Sequence, residues 1–366
     1  MKIVCTQENF KQGLLTVGRI ISSSNTLPIL NNLLIKTENG LLKICSTNLE
    51  IAIITHIRCK VENEGEVTVV CKTLTDLVNT LPNKNITLEA VEGQLNIEAE
   101  NYHTSIKTLP AEEFPLIPTI DNQHTLTIEA TDLKTAIDQV IFAVSLNQTQ
   151  PEISGVLLKL EDRSLKTVAT DRYRLAEKLF TLKQEHKGQQ EIIIPHKTAI
   201  ETSRIIGAQS GEVVIATSQT QISFAFKETQ IISRVIDGQY PDYKQIIPAN
   251  FSTTVVTERL PLANALRAGG IFSQSSNSVK VDYSSEKQML VLASESGDLG
   301  KSLVELPSNV KGRSGTIIVN YHYVLDCLAN IDTENVVLKI VDDTSPSLIE
   351  PEGKSDYIYL VMPIKN

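Results

Sequence analysis

The residues Gly297-Asp298-Leu299-Gly300-Lys301-Ser302 end in the Gly-Lys-Ser of a phosphate-binding loop, which would make the chain a nucleotide-dependent enzyme. That loop needs its first glycine at position 295, which is Glu. Too few backbone amides would then face a phosphate, and the segment reads as a hairpin turn. The histidines at 56, 103, 124, 186, 196 and 322 show no metal-ligand spacing, and there is no Gly-x-Ser-x-Gly elbow. Asp171 with Tyr173 offers an acid beside a hydrogen-bond donor, but one carboxylate without a positioned partner is not a catalytic constellation. The five cysteines, at 5, 45, 59, 71 and 327, are widely spaced and form no Cys-x-x-Cys pair, so we expect small buried hydrophobes. The expectation is a protein with no catalytic residue, no metal and no cofactor.

Charge is more informative. With 34 Lys+Arg against 43 Asp+Glu the net charge is −9, which argues against a protein that holds nucleic acid by bulk positive charge. Zero Trp and 5% aromatics disfavour a base-stacking platform. A hydrophobic content of 41% with 21% charge is that of a folded chain. The opening residues turn polar almost at once and no stretch nears the ~18 apolar residues of a membrane span, so we expect a cytoplasmic protein. Six helical stretches (7–21, 72–82, 130–144, 196–207, 257–273 and 320–331) together carry +1, leaving −10 for the remainder. Their basic residues Lys11, Arg19, Lys72, Lys134, Lys197, Arg204, Arg259 and Arg267 are the candidates for phosphate contact.

The elements that must position these groups are mostly short strands. Leu33–Lys36 and Leu41–Cys45 flank Asn39-Gly40, a hairpin signal because both residues tolerate φ > 0. Helical periodicity appears at Phe10, Leu14, Val17 and Ile21, at Leu133, Ile137, Val140 and Val144, and at Leu262 and Leu266 after Pro261. These three patterns start about 125 residues apart and expose an internal repeat. Strand-to-helix segments at Thr68–Asp76, Ile192–Glu201 and Ile317–Asp326 correspond, each with an acid at Asp76, Glu201 or Asp326. At an offset of 123, Pro28–Ile35 lies over Pro151–Leu158. We expect an α+β fold of three homologous domains, 1–124, 125–250 and 251–366, each with two helices and about eight strands. So many amphipathic strands offer open edges unless they pair between domains, which a closed ring achieves, with helices on one side and sheets on the other.

Four segments then carry a resemblance: Thr26-Leu27-Pro28-Ile29-Leu30-Asn31-Asn32-Leu33-Leu34, Thr167-Val168-Ala169-Thr170-Asp171-Arg172-Tyr173-Arg174-Leu175-Ala176, Asp237-Gly238-Gln239-Tyr240-Pro241-Asp242-Tyr243 and the terminal Val361-Met362-Pro363-Ile364-Lys365. Together, in order and over the whole chain, they resemble the bacterial sliding clamps, the β subunits of the DNA polymerase III holoenzyme. The resemblance implies a DNA-clamp fold and a non-catalytic processivity factor for the replicative polymerase. It implies a head-to-tail homodimer of six domains encircling double-stranded DNA without sequence specificity. Twelve helices at roughly 9 Å spacing would line a hole about 35 Å across. It also implies a groove that takes short apolar or aromatic peptides from polymerase, clamp loader, and repair and translesion polymerases. Here that groove would be lined by Ile153, Thr170, Arg172, Tyr173, Arg174, Leu175, Pro241, Ile246, Val361, Met362, Pro363 and Ile364, with Arg174 fixing a polar group. Dimer contacts would come from Ile271 and Phe272 against the region of Ile106. The chain departs from the family in Arg172-Tyr173, where Gly-His is common, in lacking basic residues near Ser24 and Gln150, and in Gln245, where Arg is common. Two other readings are a nucleotide-dependent enzyme built on Gly297–Ser302 and a repeat scaffold that binds only proteins.

Overall fold

The computed structural model describes residues 1–21, 27–120, 125–147, 149–183, 188–273 and 277–365. Ser24, Thr26, His124, His186 and the expected boundary at 124 lie outside the described residues. The described residues hold six α-helices: α1 (Gln7–Val17), α2 (Cys71–Thr80), α3 (Ala130–Ile141), α4 (His196–Ile206), α5 (Arg259–Ile271) and α6 (Tyr321–Ala329). The α1 stripe of Phe10, Leu14 and Val17 is buried, and Thr6 Oγ1 caps the helix by accepting the Asn9 amide at 3.3 Å. The expected run to Ile21 is shortened: the helix stops at Val17 and a 3-10 turn, Gly18–Ile20, tucks Ile20 into the core. Pro261 is tolerated because it falls in the first turn of α5, where the amide has no intrahelical acceptor.

Strands number nine, eight and nine in the successive thirds of the described chain. Asn32–Glu38 and Leu41–Thr47 pair up to Glu38 opposite Leu41, with Asn39 and Gly40 at φ 51° and 76°, a two-residue hairpin of the expected kind. Strands Glu66–Val70, Gln190–Pro195 and Gly315–Asn320 run into α2, α4 and α6, as the repeat required. The Gly297–Ser302 region is a hairpin: Met289–Ser296 and Gly300–Pro307 pair from Ser296 opposite Gly300, and the Leu299 amide donates to Ser296 Oγ at 3.2 Å. No helix follows it, so the strand–loop–helix of a phosphate loop is not formed.

The chain divides into two compact units, Met1–Lys134 with Ile200–Val235, and Thr135–Ala199 with Ile236–Asn366. In the first, thirteen strands form one sheet in which Thr229–Arg234 pairs antiparallel with Ile51–Arg58. In the second, nine strands form a sheet in which Arg174–Thr181 pairs antiparallel with Tyr357–Val361, and four more form a separate sheet. Among the described residues no helix is long and apolar enough to cross a membrane.

Candidate functional site

The groove motif Thr170–Arg174 is a tight turn between the strands Ser164–Thr170 and Arg174–Thr181. Asp171 Oδ1 accepts the amides of Tyr173 and Arg174, both at 3.0 Å, and Thr170 Oγ1 donates to the Arg174 carbonyl at 2.7 Å. These short side chains take over backbone bonding that the turn leaves unmade. Arg172 sits at φ 79°, a left-handed conformation a non-glycine residue adopts at a cost. The turn therefore holds Arg172 and Tyr173 outward, and Tyr173 is 63% exposed.

Beside the turn, the C-terminal segment leaves Tyr357–Val361 and is pinned twice. The Met362 amide donates to the Tyr173 carbonyl and the Ile364 amide to the Ile318 carbonyl, each at 2.8 Å. Pro363 is buried, Met362 half-buried and Ile364 exposed. Below lies an apolar cluster of Ile153, Leu157, Val168, Leu175, Ile193, Tyr240, Tyr243, Leu348 and Leu360. Tyr240 and Tyr243 meet edge to face, 6.4 Å between centroids. Burial raises the pKa of both phenols, and for Tyr243 its hydrogen bond with Glu177 adds to the shift, so both stay neutral. Pro241 and Ile246 are exposed beside these rings.

The expected lining divides by face. Leu175 lies opposite Leu360, and both belong to the apolar cluster; Arg174 lies opposite Val361, one residue along and therefore on the other side of the sheet. Val361 is buried on that other side, where it lines a small cavity with Leu262, Leu266 and Val324. Arg174 is held by its own unit. Its side chain is 11% exposed, with Nε donating to Asp171 at 3.0 Å and the two terminal nitrogens to Asp326 at 2.5 Å and the Phe142 carbonyl at 2.7 Å. The guanidinium stacks 4.4 Å from the Tyr323 centroid and 5.6 Å from that of Phe142. Burial would lower its pKa, but Asp326 and Asp171 outweigh that and raise it. Arg174 thus ties the turn to α6 and to the end of α3, with one N–H on each terminal nitrogen beyond these bonds. Tyr240 and Tyr243 belong to the motif Asp237–Tyr243 without having been placed in the lining, and Leu360 is next to Val361; strand alternation from Leu175 and its partner strand points to Leu360.

Of the basic candidates, Arg19, Lys72, Lys197, Arg204 and Arg267 are exposed and Lys11, Lys134 and Arg259 partly buried. Five hold partners within the protein, Lys197 among them. Arg204 pairs with Glu201 at 2.9 Å, Arg267 bonds Asn264 at 2.9 Å and Lys134 bonds Ser203 at 3.2 Å. Arg259 donates to the carbonyls of Thr333 and Leu328 at 3.0 and 3.2 Å, satisfying the end of α6 in place of a phosphate. Among the expected dimer contacts, Ile271 is 68% exposed and Phe272 partly so, whereas Ile106 is buried in its own unit. Among the described residues no group of three or more His, Cys, Asp or Glu could hold a metal ion.

Comparison with known proteins covers the chain end to end. Residues 1–118, 127–242 and 244–365 match the models of the N-terminal, central and C-terminal domains of the DNA polymerase III beta subunit. The beta sliding clamp of Synechococcus elongatus is 29% identical over 376 residues, covering 100% of this chain and 99% of its own. Among solved structures, a DnaN sliding clamp from Pseudomonas aeruginosa bound to griselimycin superposes with a TM-score of 0.95 at 27% identity, and the DNA polymerase sliding clamp of Bacillus subtilis with 0.97 at 25%. The first covers 100% of both chains; the second covers 100% of this chain and 99% of its own. With all three domain models matched in order, the chain belongs to the DNA polymerase III beta subunit family, the bacterial beta sliding clamps.

Proposed function

We propose that the protein is the non-enzymatic DNA sliding clamp of the replicative polymerase, acting in the cytoplasm as a closed head-to-tail homodimer around duplex DNA. The observation that carries this is the threefold repeat of sheet-backed helix pairs, matched in order by the three clamp domain models over 1–118, 127–242 and 244–365. Domain limits near 124 and 250 fit the same reading.

Ring closure needs two complementary edges, and two candidates stand out by exposure. The strand Gly300–Pro307 ends the four-stranded sheet, has no buried residue, and presents Leu303 at 63% exposure beside Leu299 and Ile271. The strand Tyr102–Leu109 buries only Ile106 and pairs with Glu66–Val70 only through Thr108 and Leu109, leaving the edge along Tyr102–Lys107 open. Open apolar edges of this kind invite pairing. We assign them to the two sides of the dimer joint, with Ile271 and Phe272 beside the first.

DNA inside such a ring is held by topology, so Lys11, Arg19 and Lys72, which hold no partner among the described residues, need only make passing phosphate contacts. The groove formed by Ile153, Leu175, Leu360, Tyr240, Tyr243 and the Met362–Ile364 segment receives short apolar peptides from the polymerase, clamp loader and repair polymerases. A pliable Met and a fixed Pro beside aliphatic walls suit several partners.

The test loads the protein on nicked circular DNA and then linearises the circle. The protein is expected to stay on the circle and leave the line; equal loss from both would refute the ring. Removing residues 362–366 is expected to abolish polymerase and loader binding without changing the dimer's mass in solution.

A further inference from the structure

The turn that carries the groove exists a second time, in the first unit. Thr47 Oγ1 donates to the Ile51 carbonyl at 3.1 Å, as Thr170 does to Arg174 at 2.7 Å. The Leu49 amide donates to Thr47 Oγ1 at 3.0 Å, as that of Arg172 does to Thr170 at 3.2 Å. Asn48 Oδ1 accepts the amides of Glu50 and Ile51 at 3.0 and 2.8 Å, the task of Asp171 in the other turn. The neighbouring strand closes the same way: the Arg234 amide donates to the Glu50 carbonyl at 2.9 Å, where Met362 donates to Tyr173 at 2.8 Å. Beneath it Phe114-Pro115-Leu116-Ile117 stands in for Tyr240-Pro241-Asp242-Tyr243, with Phe114 and Tyr240 each 6% exposed. Phe114 packs with Cys45, Ala52, Ile54 and Ile232, and Ile117 and Ile120 lie against them.

What differs is the surface. Leu49 occupies the left-handed position, at φ 74°, and is 48% exposed, while Leu116 is 98% and Leu27 48% exposed. A leucine held outward in a strained conformation is a costly arrangement for a residue with nothing to contact. The rim carries the exposed acids Glu50, Glu112 and Glu113 with the cation Arg234; the tail groove presents Arg172 and Lys244 with the acid Asp242. We propose that this copy is a second docking groove, for a short partner segment whose aliphatic anchors cover Leu49 and Leu116 and whose flanking Lys or Arg residues meet the glutamates.

The experiment pans a phage-displayed library of random peptides against the full-length protein. Selected clones are then measured on wild type, on the double variant Leu49→Asp/Leu116→Asp, on the triple variant Glu50→Lys/Glu112→Lys/Glu113→Lys, and on Ile246→Asp in the tail groove. The expected result is a class of clones pairing aliphatic residues with adjacent Lys or Arg. These should bind wild type and Ile246→Asp alike and lose at least tenfold in affinity on each of the other two variants. The substituted side chains are exposed, and the charge reversal leaves both leucines in place, so a fault in folding of one variant does not remove the test. The proposal is overturned if no such class is recovered, if its binding survives both the double and the triple variant, or if it is lost only on Ile246→Asp. Failure of the tail-groove reading would show separately, as polymerase binding unchanged by Ile246→Asp.

Discussion

Replacing Arg174 by Met keeps the aliphatic stem against the Tyr323 and Phe142 rings while deleting the charge and its three hydrogen-bonded directions. The Phe142 carbonyl then loses its guanidinium donor, a loss worth about 1–3 kcal/mol for a buried acceptor. Asp171, whose side chain is 16% exposed, loses its cation, whereas Asp326 at 45% regains water and contributes little. The sum, about 3–4 kcal/mol, falls near the range for breaking a buried ion pair from one side. In a unit of roughly 200 residues each kcal/mol lowers Tm by about 2–4 °C, so a fall on the order of 10 °C is expected. Arg174→Lys keeps charge but cannot reach three partners at once, and should fall between wild type and Met. The assay is thermal unfolding of the full-length protein by circular dichroism, run beside peptide binding to the tail groove. An Arg174→Met protein that melts like wild type yet binds peptide tenfold more weakly would refute this reasoning and return Arg174 to direct peptide contact.

Arg172→Gly should stabilise the protein: leaving a left-handed conformation gains about 1–2 kcal/mol and the added glycine entropy returns about 0.5–1, so Tm rises by a few degrees. A lower Tm would show that the Arg172 side chain contributes more than its backbone costs. At Gly155, where Cβ would stand 2.3 Å from the Ile194 carbonyl in the paired strand, Ala must push two strands apart; a loss of about 1–3 kcal/mol with weakened peptide binding is expected, checked by melting and fluorescence polarisation. Burial pushes the Cys5 and Cys45 thiols up to about 12 and also raises those of Cys59, Cys71 and Cys327; only Cys59 of the five is partly exposed, so a disulfide reagent at pH 8 should label at most Cys59 promptly and all five only in urea. Two or more fast thiols in the native protein would contradict this.

Periodicity and repetition made much of the fold legible. The six helices, the Asn39-Gly40 hairpin and the three strand-to-helix junctions all rest on local signals, spacing of 3.6 or 2 and residues that tolerate positive φ, which short stretches of sequence contain in full. The site was less so, because its chemistry is settled by partners distant in the chain. Arg174 reads as an available cation until Asp326, 152 residues away, is seen to hold it, and Arg259 until the carbonyls of Leu328 and Thr333 are. The motif Val361-Met362-Pro363-Ile364 likewise carries no mark of which side chains share a face; that emerges only from the register that sets Val361 opposite Arg174 and Leu360 opposite Leu175.

Net charge and free charge are different quantities in this protein. Of the eight basic residues on or beside the helices, Lys134, Lys197, Arg204, Arg259 and Arg267 already hold protein partners, whereas Lys11, Arg19 and Lys72, among the described residues, hold none. Each phosphate neutralised adds about 0.9 to the slope of log affinity on log salt. Spending guanidinium groups on helix ends and carboxylates therefore flattens that slope and weakens any adhesion that charge alone could provide. For a protein that bound DNA as an open surface, this would be a defect. A ring that retains DNA by closure loses nothing by it, and the same internal bonds stiffen the helices and the groove turn that such a ring requires.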